Sequence, residues 1–200
     1  MKGSLIIVGF FVLGTICGVC HLLPFDIAET NISYYALCAL MFSVGLSVGN
    51  DPQTLKNFRS LNPRLVFLPI MTILGTLAGS AAVSLILTHR SITDCLVVGS
   101  GFGYYSLSSI FITEYKGAEL GTIALLANIS REILTLLAAP LLVRWFGNLA
   151  PISAGGATTM DTTLPIITRT AGQQFVVVSI FHGFVVDFSV PFLVTLFCSI

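Results

Sequence analysis

The sequence predicts an all-α integral membrane protein of about five transmembrane helices plus two re-entrant or broken segments. Three observations predict it. The 200 residues are 55 % hydrophobic and 9 % charged, with a mean hydropathy of +0.96, whereas soluble domains carry about 25 % charged residues. The apolar residues fall in blocks of span length, since a helix needs about 20 of them to cross the hydrocarbon core. Two further apolar blocks are interrupted by glycine, serine, threonine and proline, and backbone broken at that depth survives only against protein or a water-filled cavity. Lys and Arg number 9 and so do Asp and Glu, so no basic face points to nucleic acid as a partner.

The first span covers about 4–22. Lys2 followed by an apolar run from Leu5 to Val19 has the shape of a secretory leader. It lacks a small-x-small cleavage site and further spans follow, so it reads as a retained helix. Spans at 32–49 and 65–88 come next. Each of the three carries a small-x-x-x-small pair, Gly14/Gly18, Gly45/Gly49 and Gly75/Gly79, which favours close helix approach. Glycine is also simply common in membrane helices. Residues 1–90 thus form a three-helix scaffold unit.

The pattern changes in 91–200. Segment 95–113 (CLVVGSGFGYYSLSSIFIT) is broken by Gly99, Gly101 and Gly103 and followed by Ser106, Ser108 and Ser109; glycine at that density is a poor helix former. Residues 119–146 form a long span carrying Arg131-Glu132. Segment 153–170 is again rich in glycine, threonine and proline, with Asp161 inside it. The last span, about 174–199, contains His182, Asp187 and Pro191. Two interrupted segments flanking a charged helix point to a binding site near the bilayer midplane.

Orientation follows from the Lys/Arg bias. Loop 50–64, with Lys56, Arg59 and Arg64, reads as cytoplasmic, and the acidic loop 23–31 as external. If both broken segments dip in and return, Lys2, Lys56, Arg59, Arg64, Arg144 and Arg169 lie inside against Arg90 and Lys116 outside. A full crossing by 95–113 weakens that bias, so the re-entrant arrangement with an external C-terminus is preferred.

Ionised side chains at this depth cost several kcal/mol, roughly 2.5–3.5 on insertion scales, and therefore each needs a reason. Glu132 shares a helical face with Asn128 and Thr135 through i+4 and i+3 steps, making a polar stripe that can hold a cation or exchange a proton; the alternative is a structural ion pair with Arg131. Adjacent helical residues point about 100° apart, which makes that pairing awkward. Arg131 can neutralise Glu132 or Asp161, or hold a substrate carboxylate through its fork of donors. Asp161, among Thr158, Thr159, Thr162 and Thr163, makes a cation site with free carbonyls and hydroxyls, or else caps a short helix. His182 is a proton relay or a hydrogen-bonded packing group. Tyr104 and Tyr105 can face a substrate ammonium or lie at an interface. Asp187 is five residues from His182, about 140° round the helix, so the two make no dyad.

Five scattered cysteines, Cys17, Cys20, Cys38, Cys95 and Cys198, make no disulfide framework. Cys17, Cys20 and His21 could share a helical face as metal ligands, but small core hydrophobes are the better reading. GSGFG (99–103) has no GK[ST] ending and no soluble βαβ context, so no nucleotide cofactor is expected. An intramembrane hydrolase using Glu132, Asp161 and His182 would lack any HExxH-type motif.

At GSGFGYYSLSSIFITE (99–114), LANISREI (126–133), GATTMDTTLPIITRTAG (156–172) and HGF (182–184) the chain resembles the bacterial L-lysine exporters of the LysO family. VGLSVGN (44–50) fits as well. The resemblance implies a non-enzymatic secondary transporter of the bacterial inner membrane. It would export L-lysine or a related cationic solute in exchange for a cation, protons being the expected one, with 91–200 as its transport core. It also implies that Glu132 and Asp161 are the acidic residues important for transport. Family members are usually longer, with an added N-terminal unit of three spans, so a small three-span membrane partner or self-association is expected to supply it. Asp187 departs from the family, which usually has an uncharged residue there.

Overall fold

The computed structural model describes residues 63–87 and 89–200, together with isolated helical positions at Leu13, Ile16, Cys17, Tyr35, Ala39 and Phe42. Spans 4–22 and 32–49, the first two glycine pairs, Cys20, His21 and loop 23–31 fall outside the described residues. The chain divides into two compact units, Met1–Asn50 and Asp51–Ile200, and the helices below belong to the second.

Among the described residues all regular structure is helical. After a short helical turn at Pro63–Val66, α1 runs Leu68–Ser84, α2 Ile92–Gly99, α3 Tyr105–Lys116 and α4 Ala118–Phe146. Then come α5 Ala150–Gly155, a 3₁₀ turn Gly156–Met160, α6 Leu164–Ala171, a 3₁₀ turn Gln173–Phe175 and α7 Val176–Cys198. Helix α4 and the continuous helical stretch Gln173–Cys198 are long and apolar enough to cross a membrane; α1, with 17 residues, spans about 25 Å at 1.5 Å per residue.

These helices are built inside out relative to a soluble core. On α4 the exposed positions are large and apolar, including Leu126, Leu134, Leu137 and Trp145, while Asn128 and Thr135 are buried. On α7, Phe188 and Phe192 face outward while Ser179, His182 and Asp187 face inward. Lipid is as apolar as leucine, so such a bundle is held by close packing and hydrogen bonds between polar inner faces.

Both interrupted segments fold as hairpins on α4. Ser91 starts α2 by accepting the Asp94 amide at 3.0 Å, satisfying one of the orphan donors of a first turn. The helix stops at the run Gly99–Gly103, and α3 then returns toward the end from which α2 came. Two contacts fix that return: Arg90, before α2, pairs with Glu119 at the start of α4, and the Gly103 amide at the tip donates to Asn128 Oδ1 at 2.7 Å. Along the way Gly121 packs against Thr113 and the Ser109 carbonyl of α3.

The second hairpin enters from the other end of α4. Ile152 of α5 and Ile167 and Ala171 of α6 cluster with Val178, and Val143, Leu149, Leu65 and Phe175 pack around them. Both arms of this hairpin therefore return to the C-terminal end of α4. Its tip is the 3₁₀ turn, where Gly156 (φ +64°) permits a left-handed step and Pro at the start of α6 resumes the helix.

Candidate functional site

The two tips meet halfway along α4. The Ala157 amide donates to the Phe102 carbonyl at 2.9 Å, and a Cβ on Gly156 would lie 2.1 Å from that same oxygen. Glycine is thus required at this position by contact as well as by backbone angle. Phe102 is a bulky residue at φ +45° and 0 % exposed. A conformation of that kind costs of order 1–3 kcal/mol and persists only where its surroundings over-determine it.

Arg131 supplies much of that determination. Its Nε donates to the Ala154 carbonyl at 2.7 Å and its Nη2 to the Ser153 carbonyl at 3.0 Å. Its Nη1 reaches Thr76 Oγ1 at 3.5 Å, and its guanidinium lies 5.9 Å from the centre of the Phe102 ring. The charge therefore sits on the carbonyl end of α5, where the helix dipole favours a cation, and fastens the second tip to α4. Among the described residues it forms no ion pair with Glu132 or Asp161.

Asn128 serves the first tip in the same way. Besides accepting the Gly103 amide, it donates to the Ala124 carbonyl at 2.8 Å and packs so tightly against Gly101 that a Cβ there would lie 2.4 Å from its Nδ2. Thr135 is returned to the backbone, donating to the Arg131 carbonyl at 2.9 Å. Of the predicted polar stripe, then, Asn128 and Thr135 are committed to structure. Glu132 is half-buried and forms no hydrogen bond or ion pair with the described residues, which leaves its carboxylate available.

His182 is wholly buried. One ring nitrogen lies 3.2 Å from the Thr159 hydroxyl and the other 3.0 Å from that of Thr72, so a neutral imidazole has a partner at each end. Thr159 also lies 2.8 Å from the Gly156 carbonyl and 2.9 Å from that of Ser179. The pair pins the second tip between α1 and α7. Gly183 completes the contact, since a Cβ there would lie 2.7 Å from the Met160 amide.

Asp161 follows Met160 and is exposed, as is Thr162. Its Oδ1 accepts the Thr162 amide at 2.5 Å. It does not cap α6, whose N-terminus at Thr163 receives no side-chain bond. Tyr104 and Tyr105, both half-buried, stand at the start of α3 on the first tip. Asp187 lies on α7, four residues after the Gly183 that packs on Met160, the residue before Asp161. Asp187 is the residue the sequence reading left outside its candidate site. The available signal was its i+4 spacing from Gly183, which places both on the face of α7 turned to the tips.

Two cavities, of about 580 and 690 Å³, lie along α1 and α4 and share Thr76 and Arg131 in their walls. Gly75 lines the first and Gly79 the second. No described atom lies within 4 Å of a Cβ at either. Among the described residues, no group of three or more His, Cys, Asp or Glu side chains could hold a metal ion.

Paired hairpins whose tips meet beside a membrane-length helix, on a bundle with polar inner faces and apolar outer ones, fit a helical membrane protein. The chain belongs to the lysine exporter LysO family, whose profile matches residues 8–198. It is 36 % identical over 196 residues to the lysine exporter LysO of Escherichia coli (strain K12), covering 98 % of this chain and 64 % of that protein. It is 34 % identical over 196 residues to a Haemophilus influenzae protein provisionally described as a lysine exporter, covering 98 % of this chain and 96 % of that one. The chain thus spans under two thirds of the length of the first relative and nearly all of the second. No solved structure matches it.

Proposed function

We propose that the chain is a secondary transporter, or a subunit of one, that exports L-lysine across the bacterial inner membrane in exchange for a cation, with protons as the coupling ion. The observation that carries this reading is the meeting of two broken hairpins halfway along α4; Glu132, next in sequence to the Arg131 that holds one tip, and Asp161, on that tip, form no ion pair with the described residues. Carboxylates held at that depth without a cation of their own suit a positively charged solute. Protonation from outside would release the solute, and binding of either cation would disfavour the other, which is the coupling an exchanger needs.

The arrangement of charge supports an orientation. Arg144 and Arg169 lie at the end of the bundle where the second hairpin enters, and Arg90 and Lys116 at the other. With the first end cytoplasmic, the chain follows the positive-inside bias, and α7 ends outside. A small three-span membrane protein, or a second copy, is the proposed partner that completes the scaffold.

Reconstitution tests the proposal. Liposomes carrying the full chain, alone and with a co-expressed neighbour-encoded membrane protein, are loaded with labelled L-lysine and given an inward proton gradient. The expected result is lysine efflux that collapses with a protonophore. A panel of unlabelled basic amino acids and organic cations then ranks the substrates. No gradient-dependent efflux under either condition overturns the reading.

A further inference from the structure

Asp187 stands near the middle of α7 and is 6 % exposed. Among the described residues no hydrogen bond or ion pair reaches its carboxylate, and since every fully enclosed polar side-chain atom in the described structure has a partner, its oxygens keep some accessible surface. A carboxylate this little exposed is costly to keep ionised unless a cation neutralises it.

Among the described residues no cation pairs with it. Arg131 is bonded to the Ser153 and Ala154 carbonyls, and among the described residues the recorded salt bridge is Arg90–Glu119, at the end of the bundle. His182, five residues before Asp187, lies between the hydroxyls of Thr72 and Thr159. The second tip packs on the same face of α7: Gly183, four residues before Asp187, presses on Met160, and Asp161 is the next residue along. Two like charges near one site repel unless a cation lies between them.

The geometry points to a cation-binding locus in which Asp187 and Asp161, with the Tyr104 phenol beside them, hold an ammonium group of the transported solute. Asp161 is exposed at the tip and Asp187 lies buried behind it, so an amine passes the first carboxylate to reach the second. Tyr104, at the foot of α3, offers an aromatic edge and a hydroxyl to a desolvated ammonium. Asp187 is thereby a specificity-determining residue that favours solutes with an additional amine over those with one. This rests on the export reading above.

The test compares the wild type with Asp187→Asn and Asp187→Glu in liposomes, together with binding of methylammonium to the purified full chain by calorimetry. For Asp187→Asn we expect the half-saturating L-lysine concentration to rise about tenfold or more while the thermal midpoint stays close to wild type. Asp187→Glu should restore most of the affinity. Methylammonium binding should weaken in parallel, and sodium at equal concentration should not compete. Unchanged lysine affinity and methylammonium binding in Asp187→Asn overturn the assignment, as does competition by sodium as strong as by methylammonium, which marks an inorganic cation site. If the wild type moves no lysine, the export reading fails. The methylammonium comparison then still decides: binding lost in Asp187→Asn keeps the locus, and binding retained removes it.

Discussion

Phe102 and Ala157 join two hairpins that enter the bundle from opposite ends: the Ala157 amide donates to the Phe102 carbonyl at 2.9 Å. Asn128, Arg131 and the His182–Thr159 pair hold the tips on either side of that link. Gly156, next to it, is the sensitive position. Gly156→Ala adds backbone strain of about 1–3 kcal/mol and drives a methyl into the Phe102 oxygen. Gly147→Ala, also at positive φ but with no described atom within 4 Å, carries the strain alone. Thermal denaturation and transport of the two variants should therefore differ. Gly147→Ala should lower the midpoint by a few degrees and keep transport, whereas Gly156→Ala should lower it further and abolish transport. Equal behaviour would remove the tip contact from the account.

The pairing of Arg90 with Glu119 makes the first hairpin's return measurable. In a background with the native cysteines replaced, Arg90→Cys with Glu119→Cys should cross-link in high yield with a short reagent. A segment that crossed the bilayer would leave the two positions about 30 Å apart, and no cross-link would form. The ion pair itself is exposed, with side chains 34 % and 77 % accessible. Glu119→Gln should accordingly change stability by less than about 1 kcal/mol.

Arg131 carries two charge-assisted bonds to carbonyl oxygens, each worth about 1.5–3 kcal/mol. Arg131→Gln should destabilise the protein by several degrees in a detergent melt. Arg131→Lys should recover only part of the loss, because an ammonium cannot span both carbonyls as a planar fork does. Full stability of Arg131→Gln would show that the second tip is held by other contacts.

Glu132 and Asp161 form no ion pair with the described residues, so neutralising them leaves no opposite charge stranded there. Glu132→Gln and Asp161→Asn should fold and melt like the wild type while exchange falls about tenfold or more, equivalent to about 1.4 kcal/mol of lost interaction. Retained exchange in both would mark the carboxylates as bystanders.

His182 bonds to Thr72 at one end and Thr159 at the other, which makes it a pin between α1, the second tip and α7. His182→Ala removes the His182 partner of the buried Thr72 hydroxyl, at about 1–3 kcal/mol, while Thr159 keeps the Gly156 and Ser179 carbonyls. A double-mutant cycle with Thr72→Val should show coupling above about 0.5 kcal/mol, as expected for residues in direct contact. Additive losses would mean that the two side chains do not act on each other.

Much of this was legible along the chain. The glycine run at Gly99–Gly103 and the Gly155-Gly156 pair marked both breaks, because glycine lowers helix stability wherever it occurs. Glu132 and Asp161 stood out because a charge in an apolar block is costly. Less legible was the division of labour. Asn128 shares a face with Glu132 in the sequence pattern, yet it holds Gly103, twenty-five residues upstream. Arg131 had several candidate partners, and the ones it takes are backbone carbonyls, which carry no residue-specific signal. Asp187 was visible as a charge, but nothing local revealed that its face of α7 would pack against the second tip.

The sequence by itself determined the medium, the breaks and the expensive charges, since each of these is a property of composition or of neighbouring residues within a turn or two. The tertiary structure alone decided that the hairpins approach α4 from opposite ends, that their tips touch at Phe102 and Ala157, and which charges form no ion pair among the described residues. Those outcomes depend on pairing residues far apart in the chain, where an amide or a carbonyl can serve many partners and only packing selects one.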